Sequence, residues 1–428
     1  SWIGRIGRAV DANVSGIYSS SGGHVPFSEY WRARLKGSVS WKLDSKRSLF
    51  RDGRLFAAGG FEFDRYKFYG SATPSQSRSI YHGSARVDAI SSFEPWDLRH
   101  NMWVSWHTYS VSDVAKTTEN EISVGFEGSK AVGPVSVGAN ADISANFLNM
   151  PVSNEDLVFV AVGAKGEGRL FPGFQFRGGV AFYSLKNSDT DSRILFYPQV
   201  EARYFAGSLI TIFAKAVPGA RKNSLRKVMV RNPYLSNAVA IRHEETFADF
   251  SGGVELAASE HVRGRIIVSY QRSRSYPIRV DSDRNGKWEL SYEGKVRILM
   301  LAANASVQIS NKDKLLGSIR VLDSEYSITR ERVPYLPSAS FTATYQRRIG
   351  PRLTIQGSIQ YLGQRYADLG ATRKLKSYAR VDVRGEYYFS RFIGLFVMTE
   401  NLFDQDYAVW ENYVDRPFYI QAGLTAKL

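Results

Sequence analysis

Residues 31–41 read WRARLKGSVSW. Successive side chains of an extended strand point to opposite faces. Trp31, Ala33, Leu35, Gly37, Val39 and Trp41 therefore share one face, and Arg32, Arg34, Lys36, Ser38 and Ser40 the other. One face suits hydrocarbon and the other water. Ten steps of ~3.3 Å span roughly 33 Å, and a tilt of about 40° brings this to ~25 Å, the height of the apolar band of a membrane-spanning barrel. Trp31 and Trp41 then fall at the two interfaces, where such barrels carry aromatic girdles. A soluble sandwich strand shows the same alternation, but with less reason to place an indole at each end and none between.

The chain has 428 residues, enough for a large fold, and its longest apolar runs, such as Ile298 to Ala303, are far shorter than a spanning helix requires. Only helices and closed barrels satisfy every backbone polar group in lipid, so a membrane reading of this chain is a barrel reading. The lack of cysteine is in keeping with an oxidising envelope compartment. Ser1 to Ser20 is polar, Gly-rich and strand-like, unlike a secretion signal. With 56 basic against 41 acidic residues the formal charge is +15. Nucleic acid, anionic lipid and anionic cargo are the partners such a charge suggests. No basic helix or Cys/His finger accompanies it, which sets nucleic acid aside.

The two-residue period recurs along the whole length. Val135, Val137, Ala139, Ala141, Ile143, Ala145 and Phe147 alternate with Ser136, Gly138, Asn140, Asp142, Ser144 and Asn146. Residues 174–183, 353–361 and 379–389 repeat the pattern. Turn clusters, among them residues 44–48, 71–77, 187–191, 281–286 and Gly350-Pro351, separate the strands; half the connections are short and half longer. The count is about 20, and residues 2–20 and 288–310 are each long enough to hide one more strand. The expectation is an all-β, transmembrane antiparallel β-barrel of about 22 strands (20 to 22), forming a single domain over residues 1–428.

The last 95 residues resemble the C-terminal barrel strands of TonB-dependent outer-membrane receptors. The resemblance rests on residues 334–366, 377–389, 400–413 and 418–428. Its most specific piece is Asn401, Leu402, Phe403, Asp404 and Tyr407, similar to that family's penultimate hairpin. Gln421, Gly423, Ala426 and Leu428 resemble the C-terminal signal read by barrel-assembly machinery, although the family usually ends in Phe. Asp415-Arg416-Pro417 stands where the family often has Pro-Gly-Arg. The family's N-terminal plug is not evident in this chain. The resemblance implies an integral protein of the bacterial outer membrane, among lipid and lipopolysaccharide, that takes up a scarce solute (an iron chelate, cobalamin or a glycan) through its lumen. It implies coupling to the inner-membrane TonB system if a plug exists. The alternative is a plugless passive channel, or a structural barrel subunit among other envelope proteins.

Two basic constellations are candidate sites. Assigning polar strand faces to the lumen places Arg32, Arg34, Lys36, Arg177, Arg263, Arg265, Arg380 and Arg384 there, either steering anions inward or pairing with acids. A second patch, with Arg221, Lys222, Arg226, Lys227 and Arg231, lies in a stretch without acids between Phe205 and His243. It reads as a solvated outer loop or a docking surface for phosphates of lipopolysaccharide or an anionic ligand. Asp281 to Gly286 begins like a calcium loop, but Tyr292 occupies the twelfth position, where a bidentate acid belongs, so a hairpin turn is the better reading. The six histidines have no metal-ligand spacing, and there is no nucleophile elbow or phosphate loop. No cofactor, metal or enzymatic activity is expected.

Overall fold

The computed structural model describes residues 2–6, 9–43, 53–93, 98–151 and 153–426. Of the residues singled out above, Leu428 and the turn at 44–48 lie outside these. The side chain of Ala426 is likewise not described.

One large sheet runs from Trp2–Ile6 to Tyr419–Ala426. Every barrel strand pairs antiparallel with the barrel strand next in sequence. The sheet holds 22 pairing segments. Ile210–Ala216 and Gly219–Arg221 both pair with Glu244–Ala257 and form one strand interrupted at Val217-Pro218, so 22 less one gives 21 strands among the described residues. Residues 2–20 do conceal two strands, Trp2–Ile6 and Val10–Ser21. No described helix is long and apolar enough to cross a membrane.

Alternation fixes which face is which. In the strand Lys116–Val132, Glu119, Glu121 and Ser123 are 1–3% exposed, whereas Ile122 and Val124, at alternate positions, are 49% and 48% exposed. The same outward apolar row carries Leu35, Val39, Phe61, Met102, Val104, Ile266 and Val268. Apolar side chains thus face the surroundings and polar ones face inward, the inverse of a soluble sandwich. Trp31 and Trp41 both lie on the exposed row. Trp31 meets Phe63 at 4.3 Å and Tyr18 at 5.9 Å between ring centroids, and Phe63 meets Tyr81 at 4.6 Å, an aromatic belt over four neighbouring strands.

The two rims differ. One has short connections, such as 133–134, 172–173 and 350–352; Gly133 and Gly173 take positive φ (59° and 81°), which tight hairpin turns demand of their residues. The other rim carries the long loops 222–243, 275–294, 363–377 and 401–418. These do not simply project outward. Leu225, Val228, Met229, Leu235, Val239, Ile241, Trp288 and Tyr413 join Ile80, Tyr109, Val111, Leu148 and Leu157 of the wall in one buried cluster. The protein's main apolar core is therefore inside the long-loop end of the barrel.

Candidate functional site

The inner wall is charged, and its charges are paired. Arg32 stands opposite Asp64 and Arg34 opposite Glu62 in register, the favourable arrangement for neighbouring strands. Arg32 Nε donates to Asp64 at 2.5 Å; Lys36 Nζ lies 2.8 Å and Arg34 Nε 4.0 Å from Glu62. Arg177 pairs with Glu167 and, at 3.3 Å, with Glu201. Arg265 reaches Glu255 at 3.2 Å, Arg380 reaches Asp382 at 3.0 Å, and Arg384 reaches Glu386 at 3.8 Å. Of the eight cations, only Arg263 has no ion pair with a described residue. Glu62, Asp64 and Glu255 lie on the neighbouring strands, so their partnership depends on a register that the sequence does not announce.

The mid-chain basic patch is divided by the fold. Arg221 and Arg231 are exposed. Lys222 instead enters the barrel, its ammonium donating to Glu121 (2.7 Å) and Ser123 (3.0 Å). Lys227 donates to the Lys222 carbonyl at 3.0 Å, and burial pushes its pKa down. The short helix Leu225–Arg231 is capped by Ser224, whose hydroxyl accepts from the Lys227 N–H. Its free N–H groups at Leu225 and Arg226 donate to Glu119 at 2.9 and 3.1 Å. Leu225, Val228 and Met229, at helical spacing, form the buried stripe. That stripe was the sequence signal for an inward-packed segment; the basic residues between its members hid it.

Wall residues hold the rest of this segment. Arg78, fully buried, donates to the carbonyls of Pro233 (2.8 Å) and Leu235 (2.6 Å) and to Asp113 (2.6 Å). Thr117 donates to the Asn237 carbonyl, and the Asn237 amide to Asp113 and the Ala115 carbonyl. Tyr234 stacks on Tyr413, and burial raises both phenols, which stay neutral. Between this segment and the wall lies a cavity of about 370 Å³ bordered by Arg32, Arg34, Tyr66, Tyr69, Tyr234 and Arg416.

The Asp281 carboxylate accepts from the backbone N–H of Asn285 (3.0 Å) and Gly286 (2.9 Å), closing a turn as the missing twelfth ligand implied. No group of His, Asp or Glu placed to hold a metal ion occurs among the described residues. His82 and His107 stack on the inner wall, ring nitrogens 3.3 Å apart.

No family model matches the chain, and no curated protein matches it in sequence. Solved structures do. The chain is similar to a mutant of the ferric enterobactin receptor PfeA of Pseudomonas aeruginosa in complex with enterobactin, with a TM-score of 0.76 and 11% identity over 99% of this chain and 77% of that one. The siderophore receptor PiuA of Acinetobacter baumannii gives 0.73 and 12%, over 99% and 78%. The ferric yersiniabactin uptake receptor FyuA of Yersinia pestis gives 0.72 and 12%, over 98% and 74%. The chain has a TonB-dependent receptor-like fold.

In this receptor-like barrel the Asn401 to Tyr407 motif is a clip for the final loop. Asn401 and Asp404 adopt positive φ (51° and 52°), which their short polar side chains tolerate. The Asn401 amide donates to the carbonyls of Gln405 (3.0 Å) and Arg416 (3.1 Å), while its oxygen accepts from the Gln405 N–H (3.0 Å). Asp404 accepts from the Phe418 N–H at 2.7 Å. Tyr407 stacks on Tyr378 at 4.1 Å; Leu402 and Phe403 are exposed. In the terminal strand Gln421 lies opposite Met398 and Gly423 opposite Phe396, whose ring covers the glycine.

Proposed function

We propose that this chain is the transport barrel of an outer-membrane receptor that captures a scarce solute at its long-loop rim and passes it through the lumen. The outward apolar row with its aromatic belt, on a sheet sharing the fold of siderophore receptors, carries this reading. By the asymmetry of bacterial barrels the long-loop rim faces outward and the short turns face the periplasm. Barrel-assembly machinery and lipopolysaccharide are then its envelope partners, with the TonB system as its source of energy if a plug accompanies the barrel.

The 370 Å³ cavity is the place we assign to solute capture, since it offers phenol edges beside arginines and the acids paired with them, Asp64 among its lining, in a partly enclosed space. The paired wall charges make the lumen a polar path, not a uniform anion funnel. The loops folded across the lumen speak for binding and gated passage over free diffusion, and the fold does not call for chemistry on the solute.

The test is saturable binding of radiolabelled ferric siderophores to cells of a receptor-deficient host displaying the protein, with Arg32→Ala and Tyr66→Phe as cavity variants. Saturable binding weakened by both changes is expected. Binding no greater than in the empty host, across iron chelates, cobalamin and glycans, would overturn the reading.

A further inference from the structure

Toward the long-loop rim, the outward positions of the strand Val262–Arg274 are Ile266, Val268, Tyr270, Arg272 and Arg274. On the next strand, Lys295–Gln308, their partners are Ala303, Leu301, Leu299, Arg297 and Lys295. Arg272 thus stands opposite Arg297, and Arg274 opposite Lys295. Like charges directly opposite one another destabilise a sheet, and here two such pairs follow each other, about 6.6 Å apart along the strand. The inner wall does the contrary, setting Arg32 against Asp64 and Arg34 against Glu62.

The acids that reach these four cations are shared or drawn away. Arg297 pairs with Asp323 (3.1 Å) and Glu325 (2.9 Å) on the far side. Glu245 lies 3.8 Å from Arg274, but Arg193 at 2.8 Å and the Tyr197 hydroxyl at 2.6 Å hold it more closely. Arg272 and Lys295 are exposed and form no ion pair with a described residue. A bulge in Glu244–Ala257 adds Phe247, whose ring centre lies 5.5 Å from Arg272, 5.1 Å from Arg274 and 5.8 Å from Lys295. The ring gathers three cations without neutralising any of them. Next to them, toward the middle of the barrel, the outer surface is hollowed. A groove of about 840 Å³ runs among Phe250, Ile266, Val268 and Tyr270, with Ala214 and Gly252 between them. Cations and groove therefore occupy successive outward positions of one strand, the complement of an amphiphile with anionic head groups and acyl chains.

We propose that this patch holds one molecule of lipopolysaccharide by its doubly phosphorylated, multiply acylated anchor, with the phosphates on Arg272, Arg274 and Lys295 and acyl chain along the groove. Guanidinium groups suit phosphate, which they bind through paired charge-assisted hydrogen bonds. Two cation pairs one step apart call for more than one phosphate, and a glycerophospholipid with a single phosphate leaves one pair opposed. The proposal rests on the outer-membrane reading, which turns the long-loop rim toward the leaflet where this lipid lies, and it adds a defined site. The lipid supplies the counter-charge that the sheet withholds.

The chain, refolded in detergent micelles without lipid, is titrated with diphosphoryl lipid A, monophosphoryl lipid A or phosphatidylglycerol, and bound lipid is counted by native mass spectrometry. One diphosphoryl lipid per chain is expected, with the monophosphoryl form weaker and phosphatidylglycerol weakest. The double variant Arg272→Ala/Lys295→Ala is expected to need roughly tenfold or more lipid for half saturation, having lost two charge-assisted contacts. Lys376→Ala, which removes an exposed cation elsewhere on the same rim, is expected to bind as the native chain does. Stability gives a second reading. Lys295→Glu sets an acid opposite Arg274, so without lipid its urea midpoint is expected to rise above that of the native chain. Diphosphoryl lipid is expected to raise the native midpoint and to leave that of Lys295→Glu unmoved. Absence of a stoichiometric adduct, equal retention of all three lipids, or native-like binding by the double variant overturns the proposal. If the double variant does not fold, Lys295→Glu decides, and lipid that raises both midpoints equally counts against the site. No transported solute enters these measurements. A chain that binds the lipid but no solute therefore leaves the site standing, and one that binds solute but no lipid removes the site alone.

Discussion

The indole of Trp103 lies directly over Gly125, its register partner on the next strand, so closely that a Cβ there would come within 2.1 Å of the ring. Arg86 covers the same indole at 4.6 Å. Arg384, Phe396 and Gly423 repeat the arrangement, with 4.5 Å between guanidinium and ring. A cation, an aromatic plate and a glycine thus form a unit of the inner wall, in which the missing side chain lets the ring lie flat. Gly125→Ala must displace the indole and is expected to destabilise the barrel by about 1–3 kcal/mol, the usual range for overpacking. A lower urea midpoint for refolded protein in vesicles checks this; an unchanged midpoint would mean the ring is free to move aside.

Leu35 and Lys36 are neighbours in sequence on opposite faces of the strand Tyr30–Lys42. Leu35→Arg puts a charge midway along the row between Trp31 and Trp41, where barrels lose about 2–4 kcal/mol. Lys36→Arg, toward Glu62, is expected to change little. Equal effects of the two changes in the same unfolding measurement would contradict the assignment of faces.

His243, in the long loop, accepts the Asn223 N–H at 3.2 Å and packs on Phe159. Burial is the main cause that holds its ring neutral, pushing its pKa down to about 4; Lys222 and Lys227 add to this, while the Val158 backbone and Glu121 oppose it. The unfolded ring takes up its proton near pH 6.5 and the packed ring only near 4. The stabilisation is therefore complete above pH 6.5 and is lost as pH falls toward 4. Hydrogen exchange in residues 222–243 is expected to quicken over that window, and His243→Asn is expected to flatten the dependence.

Asn401 combines positive φ with hydrogen bonds to Gln405 and Arg416, so Asn401→Ala loses both. A cost of about 1–3 kcal/mol follows from the loss of these three part-buried hydrogen bonds. Limited proteolysis is expected to cut the variant within residues 401–418, where the native chain resists. Asn401→Gly, which restores only the backbone freedom, is expected to recover part of the loss.

Where side chains alternate, the sequence was almost transparent. The strand Val135–Asn149 could be assigned face by face, because lipid outside and water inside impose opposite demands at every step. Residues 2–20 were visibly long enough to conceal the extra strand Trp2–Ile6, and the motif at Asn401 stood out through its family resemblance, since each is local. What escaped was whatever depends on distant partners. Lys222 read as a solvated loop cation because nothing near it in sequence announces Glu121, 101 residues earlier. Arg34 and Lys36 were countable as lumen charges, but the register that sets Glu62 against them belongs to the fold.

The apolar cluster within the barrel draws on Ile80, Leu157, Leu235, Trp288 and Tyr413, members separated by hundreds of residues. A chain emerging from its N-terminus cannot complete this cluster until almost its last loop has been delivered. Long-range closure of this kind is intrinsically slow. Full drying of the interior therefore waits on the last loop, and a chain that stopped just before Tyr413 would lack the final strand, Tyr419–Ala426, as well.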